Sequence, residues 1–507
     1  MMKHRLVVRA GRGSKRFGIQ VRQIQSQATF QQRLGITAPP GTSQREVLDQ
    51  LSKHVLERPR KSYHEAPGTN GMAVLASKDF ANWLEDESFM SEFVQTLSKP
   101  TTAFRASHQR LNVLSGITDG LSLDGLSKEP RSGFSVLRGP TDRILPGLWE
   151  KEGFGTSQDD AACVSFVTNP LSRDAGALEV TLPLANTVFQ NGRRSTLHAS
   201  RWDISSKGSA ILRTREPKMI QRISAQGDSA NRTLSVIPLL PLTPPRKIIA
   251  GLGNIVRQVE VDGVATPASK ELEKILPGIF EERAKRDPVS SPSSIGVWCW
   301  VIPPHIMKSQ DFSDLKLLTP GCSQTEADIT LGSMKLFTDL LSSGCRLHKI
   351  LSGGGGWGPK QGLLSLDPET AFSLPGNDDD MEMFVKSFWQ RNSTEATGGL
   401  VSPGYFLLFC AEPQVTNMEP LASQLVAPMN TFTFGITPDP DLISPSPIPR
   451  SAAVKISDQH FGVSSATGLF LRTIPGLAGI NGDAEPKDAA QSPFTTKINV
   501  PGAYLYV

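Results

Sequence analysis

The sequence predicts an α+β, mixed α/β fold: a two-lobed body of mixed sheets with a small helical extension near the N-terminus. Three observations lead there. Runs with strand composition outnumber runs with helical spacing in the second half, which argues against a regular βαβ series. Glycine (44) and proline (38) exceed ordinary usage, so connections are irregular and helices few and short. With 507 residues and no repeat of fixed period, the chain is long enough for several domains around a buried core.

The N-terminal segment comes first. Lys3, Arg5, Arg9, Arg12, Lys15, Arg16, Arg22, Arg33 and Arg45 all precede the first acid, Glu46. Leu6, Val7, Val8, Phe17, Ile19, Val21 and Ile24 are interleaved with them, the composition of an amphipathic mitochondrial presequence. A secretory signal needs an uninterrupted apolar stretch, and none is present. No run approaches the ~20 apolar residues of a membrane span, so no transmembrane segment is expected. Residues 1–40 are therefore expected to be a targeting segment, cleaved near Arg22-Gln23-Ile24 or as late as about residue 35. The mature protein is then expected in the mitochondrial matrix. The alternative is a basic tail that binds nucleic acid elsewhere in the cell.

Residues 41–100 read as a small helical unit, with Leu48, Leu51 and Val55 on one stripe and Phe80, Trp83, Phe89, Phe93 and Leu97 on another. Residues 101–160, rich in Gly, Ser, Pro and Asp, read as a linker with short strands near 111–114 and 134–137. Residues 161–288 form a first α/β unit, with strands at 163–168, 178–184 and 234–240. Its helices are expected at 247–261 and 270–285, the second opened by Ser269. Residues 289–507 form a second, strand-rich unit. Its strands are expected near 297–302, 404–410, 430–435, 454–457, 468–471 and 497–506, and its helices near 331–343 and 381–391.

Charge points to a binding function. Removing the nine basic residues of the leader from the chain's 53 leaves 44 against 49 acids, so the remainder is acidic overall. Basic character is local. Between residues 191 and 250, Arg193, Arg194, Arg201, Lys207, Arg213, Arg215, Lys218, Arg222, Arg232, Arg246 and Lys247 stand against Asp203, Glu216 and Asp228. Strand alternation over 211–215 puts Arg213 and Arg215 on one face about 7 Å apart, a spacing that grips phosphates or carboxylates. Arg193, Arg194, Arg201, Arg213, Arg215, Lys218 and Arg222 are the candidate anion-binding set. The alternative is that they pair with this chain's own acids. Only Phe189 and Trp202 lie nearby as aromatics, which gives little support to a base-stacking platform.

A glycine-rich stretch is the second candidate. Gly353, Gly355 and Gly358 satisfy G-x-G-x-x-G, but Gly362 and Asp367-Pro368 cut short the helix that a dinucleotide site requires. Against the P-loop pattern, Pro359 displaces Lys360 by one place, and Gln361 stands where a magnesium-binding Ser or Thr belongs. A less specific reading remains. The N–H groups of Gly353, Gly354, Gly355, Gly356 and Gly358 form an anion-binding concavity, with Arg346, His348, Lys349 and Lys360 adding positive charge. Alternatively, the glycines let the backbone pass close beneath Trp357.

Catalytic chemistry is poorly marked. Cys163, Cys299, Cys322, Cys345 and Cys410 form no CxxC pair, so neither a zinc ribbon nor a disulfide framework is indicated. Cys345 and His348 need not face each other, and Ser352 lacks the G-x-S-x-G elbow. Asp378, Asp379, Asp380 and Glu382 read better as an acidic helix entry than as a magnesium site. No metal and no cofactor is expected, and no catalytic residue is nominated.

The stretches TLPLANTVFQNG (181–192), LGNIVRQ (252–258), ASKELE (268–273) and 352–369 resemble a family of fungal mitochondrial proteins without an established biochemical activity. The resemblance covers most of residues 160–507, agrees with the presequence and transfers no catalytic residue. The expected function is thus an auxiliary factor of mitochondrial gene expression that binds RNA or a ribonucleoprotein. One alternative is an enzyme acting on a phosphorylated small molecule or nucleotide at the Gly353–Gly358 loop. Another is a structural or assembly subunit that meets an acidic protein surface.

Overall fold

The computed structural model describes residues 31–57, 69–98, 109–122, 131–150, 161–171, 176–205, 209–225, 233–286, 295–319, 321, 323–353, 362–372, 401–414, 431–437, 453–474 and 494–507. The fold is α+β, with several sheets and helices mixed along the chain.

A seven-stranded sheet runs in the order β20 (Lys455–Asp458), β1 (Gln32–Thr37), β4 (Gly133–Gly139), β2 (Gly71–Ser77), β3 (Gln109–Thr118), β7 (Leu197–Ile204) and β8 (Ala210–Pro217). Helices α1 (Gln44–Glu57), α2 (Ala81–Glu85) and α3 (Glu87–Leu97) cover one of its faces. Val47, Leu51, Leu84, Phe89 and Phe93 from these helices share a core with Leu34, Val74, Val113, Phe134 and Trp202 from the strands. The two apolar stripes are real, but they form a layer of this sheet, and no separate helical extension is shown. Strand β2 left no periodic signal because it is buried on both faces, so its sequence GMAVLAS is apolar or small throughout. Asp86 divides the second helical stretch. Its carboxylate accepts from the Ser88 and Phe89 N–H groups at 2.9 and 3.3 Å, capping α3.

Strand β1 also limits the leader. It lies between β20 and β4, and Arg33, counted above among the leader's charges, stacks over the Phe432 ring at 4.3 Å. Cleavage beyond it would remove a strand from inside the sheet. Residues 1–30 lie outside the described residues.

A five-stranded sheet follows the order β23 (Thr495–Ile498), β22 (Leu469–Thr473), β6 (Leu178–Pro183), β5 (Cys163–Thr168) and β9 (Ile220–Ser224). A four-stranded sheet follows β10 (Leu234–Val236), β24 (Tyr504–Tyr506), β19 (Thr431–Ile436) and β21 (His460–Ser465). Strands beyond residue 430 therefore contribute to three of the four sheets, which draw on both sides of residue 288.

The last sheet contains β11 (Leu240–Pro241), β12 (Arg246–Leu252), β13 (Ile255–Val261), β14 (Val264–Pro267), β15 (Val297–Ile302), β16 (Arg346–Gly353), β17 (Leu364–Leu366) and β18 (Phe406–Ala411). Pairing runs β12-β13-β17-β16-β15-β18 and returns from β18 to β12, closing a six-stranded barrel. Ile248, Val256, Cys299, Leu364, Leu407 and Phe409 belong to its core. The helix expected over 247–261 is instead the β12–β13 hairpin. Ile, Val and their β-branched neighbours suit the barrel wall, and Gly253, at φ +61°, makes the turn that a helix forbids.

Helix α4 (Thr141–Ile144) and helix α5 (Val188–Asn191) are single turns; α6 (Lys270–Arg286), α7 (Pro304–Ser309) and α8 (Glu326–Ser342) serve the C-terminal half. Thr325 and Asp328 form a capping box at the start of α8. The largest core joins all four sheets through residues such as Leu75, Phe166, Trp300, Phe434 and Leu505, with Phe337 of α8 stacked on Trp300. The helix expected near 381–391 lies outside the described residues. Among the described residues no helix is long and apolar enough to cross a membrane.

Candidate anion-binding surface

The β7–β8 hairpin forms one edge of the seven-stranded sheet and carries three of the seven predicted residues. Alternation fails within it. Trp202 pairs with Leu212 and Arg201 with Thr214, leaving Arg213 as the extra residue of a bulge. Arg213 and Arg215 therefore face opposite sides, contrary to the expectation of a shared face. Arg213 Nε donates to Asp203 at 2.8 Å, whereas Arg215 Nη1 donates to the main-chain oxygen of Glu85 in α2 at 3.3 Å.

On the Asp203 side, Arg110 of β3 also reaches this carboxylate, at 3.8 Å. Arg201 lies on the same face with its guanidinium 4.3 Å above the Trp149 ring, whose Nε1 donates to Asn112. Three guanidiniums thus face Asp203 and the exposed Glu216. On the other side, Arg193 pairs with the Glu85 carboxylate at 2.9 Å, so Arg193 and Arg215 both depend on Glu85. Each face retains one positive charge in excess among the groups named. His198 reports the same field: burial, then Arg193 and Arg215, push its imidazole down to about 4.

Helix α5 and Gly192, at φ +75°, turn the chain toward Arg193 and Arg194, both exposed. In this turn Phe189 is 97% exposed. The remaining predicted residues sit elsewhere. Lys218 is buried and donates to the main-chain oxygen of Glu150 at 3.1 Å. Arg222 lies on the five-stranded sheet, where it and Arg472 share Glu179 at 3.0 and 2.9 Å. Burial opposes ionisation of Glu179, but the Ser165 hydroxyl and the two guanidiniums outweigh it and hold the carboxyl below its usual range. Sequence reasoning missed Arg110 and Trp149. They stand 91 and 52 positions before Arg201, and only the pairing of β3 with β7 and the path of the 141–150 segment bring them to it.

The glycine loop is mostly beyond view: Gly354, Gly355, Gly356, Gly358 and Lys360 lie outside the described residues. Gly353 ends β16 and Arg346 begins it, so roughly 23 Å separates them at the usual strand rise. His348 points into the barrel, opposite Cys299, and its Nδ1 meets the Asp367 main-chain oxygen at 2.8 Å. Burial pushes its imidazole down to about 4, so it supplies no positive charge at neutral pH.

Nor do Cys345 and His348 form an activated pair. Burial pushes the Cys345 thiol up to about 12, away from thiolate, and it also raises Cys299 and Cys410. No group of three or more His, Cys, Asp or Glu able to hold a metal ion is found among the described residues. Comparison of the chain with protein-family models, with curated proteins and with solved structures finds no match in any of the three.

Proposed function

We propose that the protein is a mitochondrial matrix factor that binds RNA or a ribonucleoprotein through the β7–β8 hairpin and the adjoining α5 turn. One observation carries the reading: among the described residues, guanidiniums on both faces of the hairpin outnumber the carboxylates that answer them. A polyanion supplies the missing charge, and phosphates spaced along a strand can reach Arg110, Arg201 and Arg213 together. The exposed Phe189 ring beside Arg193 and Arg194 adds a stacking surface that an acidic protein partner would not need.

The test is a salt titration of full-length protein against a labelled single-stranded uridine oligonucleotide. Affinity should fall steeply with salt, and Arg110→Glu with Arg213→Glu should flatten the slope by roughly 0.7 for each phosphate no longer neutralised. Phe189→Ala should weaken binding about tenfold while leaving the slope unchanged. An unchanged slope in the charge-reversal variant would sink the proposal. The compartment is tested separately: residues 1–45 fused to a fluorescent reporter should direct it to mitochondria, and a cytosolic reporter would remove that part.

A further inference from the structure

The barrel's outer wall divides into two halves. Outward side chains of β15, β16 and β18, namely Trp298, Trp300, Leu347, Leu408 and Cys410, are buried in the central core. On the other half the outward positions include Ile249 and Leu252 of β12, Ile255 of β13 and Leu351 of β16, which are 37, 72, 39 and 58% exposed. Strand register places them together. Leu252 pairs with Ile255, Ile255 with Ser365 and Ser365 with Ser352, while Val256, Leu364 and Leu366 point inward.

Charge on this wall has one sign in excess. Lys247, Arg257 and Lys349 are exposed at outward positions and make no ion pair with any described residue. Lys349 is held only over the Trp298 ring, at 5.6 Å. The acids among the described residues of β12 to β14 are Glu260 and, in the β13–β14 turn, Asp262, which lies 3.9 Å from Arg246. Unlike the hairpin arginines, these cations alternate with bare aliphatic side chains.

We propose that this half of the barrel wall docks a protein segment that carries acidic and aliphatic side chains in alternation. Contiguous exposed aliphatics mark an interaction site, and the unpaired cations select an acidic partner. Among the described residues this wall exposes no aromatic ring for stacking, so a nucleic acid gains little here. A bilayer surface favours Trp and Tyr at the interface, and neither is exposed on this wall among the described residues. This surface is separate from the β7–β8 hairpin and stands or falls independently of the RNA reading.

Fluorescence anisotropy with full-length protein tests it. The probe is a labelled peptide of alternating glutamate and leucine, with alternating glutamate and serine as the charge-only control and anionic phospholipid vesicles as the lipid arm. The glutamate–leucine peptide should bind. Arg257→Glu with Lys349→Glu, and separately Leu252→Ser with Leu351→Ser, should each weaken it at least about tenfold without changing the melting temperature. Three results would overturn the proposal: equal affinity for the serine control, vesicle binding without peptide binding, or a concentration-dependent dimer abolished by Leu252→Ser. Peptide affinity unchanged in both double variants would do the same.

Discussion

Two arginine environments in this molecule answer charge in opposite ways. Arg283 of α6 is enclosed: its Nε and Nη2 each donate to Glu326 at 2.9 Å, Nη2 also reaches the Glu412 main-chain oxygen, and the side chains are only 4 and 3% exposed. Glu326 also accepts from the Gln414 N–H at 2.7 Å and sits in the first turn of α8, where the helix dipole favours an anion. Around the β7–β8 hairpin, by contrast, half-exposed guanidiniums outnumber the carboxylates they meet among the described residues. One arrangement is complete within the chain and holds α6 to α8. The other leaves positive charge in excess among the described residues, which the proposed partner would answer.

The largest effect should come from breaking the complete pair. Glu326→Gln leaves a buried guanidinium without a counter-charge and should cost about 3–5 kcal/mol, read as a lower urea midpoint. Replacing both partners, Arg283→Met with Glu326→Leu, should recover most of that loss, because an apolar pair leaves nothing uncompensated. Arg213→Ala should cost under ~1 kcal/mol, since its pair with Asp203 is screened by solvent. A hairpin variant as damaging as Glu326→Gln would erase the distinction.

The two buried histidines among the described residues, His198 and His348, sharpen the comparison. Both imidazoles are pushed from the ordinary 6.5 to about 4, first by burial, but only His198 also feels Arg193 and Arg215. In the unfolded chain each protonates near 6.5, whereas in the folded chain each stays neutral until about 4. Stability from this source is therefore complete above pH 6.5 and lost as pH falls toward about 4, at up to roughly 1.4 kcal/mol per pH unit and imidazole. His348→Leu should flatten part of that decline. Arg193→Gln with Arg215→Gln should raise the His198 value in an NMR titration and leave His348 unmoved; equal movement of both would show that the hairpin charge is not local.

Much of this was legible in the sequence, and the failures share causes. Alternating or uniformly apolar runs such as 163–168 and 297–302 emerged as strands because burial on one or two faces writes itself into composition. The β12–β13 hairpin was misread because its hydrophobic spacing also fits a helix, and Gly253 was the decisive residue. Barrel closure was invisible, since β18 meets β12 and β15 across more than 100 residues of chain. At the arginine surface, composition picked out Arg201, Arg213 and Arg215 on one hairpin but also Lys218 and Arg222, which lie away from it. Its geometry was lost to a single bulge at Arg213 and to Arg110, brought in by a strand from far upstream.

The smallest expected effect is the most discriminating. Asp203 holds Arg213 at 2.8 Å and Arg110 at 3.8 Å, with Arg201 on the same face. If these guanidiniums exist to serve the sheet, Asp203→Asn should destabilise the protein slightly and leave anion affinity unchanged or lower. If instead the carboxylate only keeps them oriented while a polyanion is absent, removing its charge frees two guanidiniums at little structural cost. Asp203→Asn should then lose under ~1 kcal/mol of stability. It should also bind the uridine oligonucleotide about two- to fivefold more tightly at low salt, an advantage that disappears as salt screens the surface. A gain that persisted at high salt would point to a reshaped site instead of released charge.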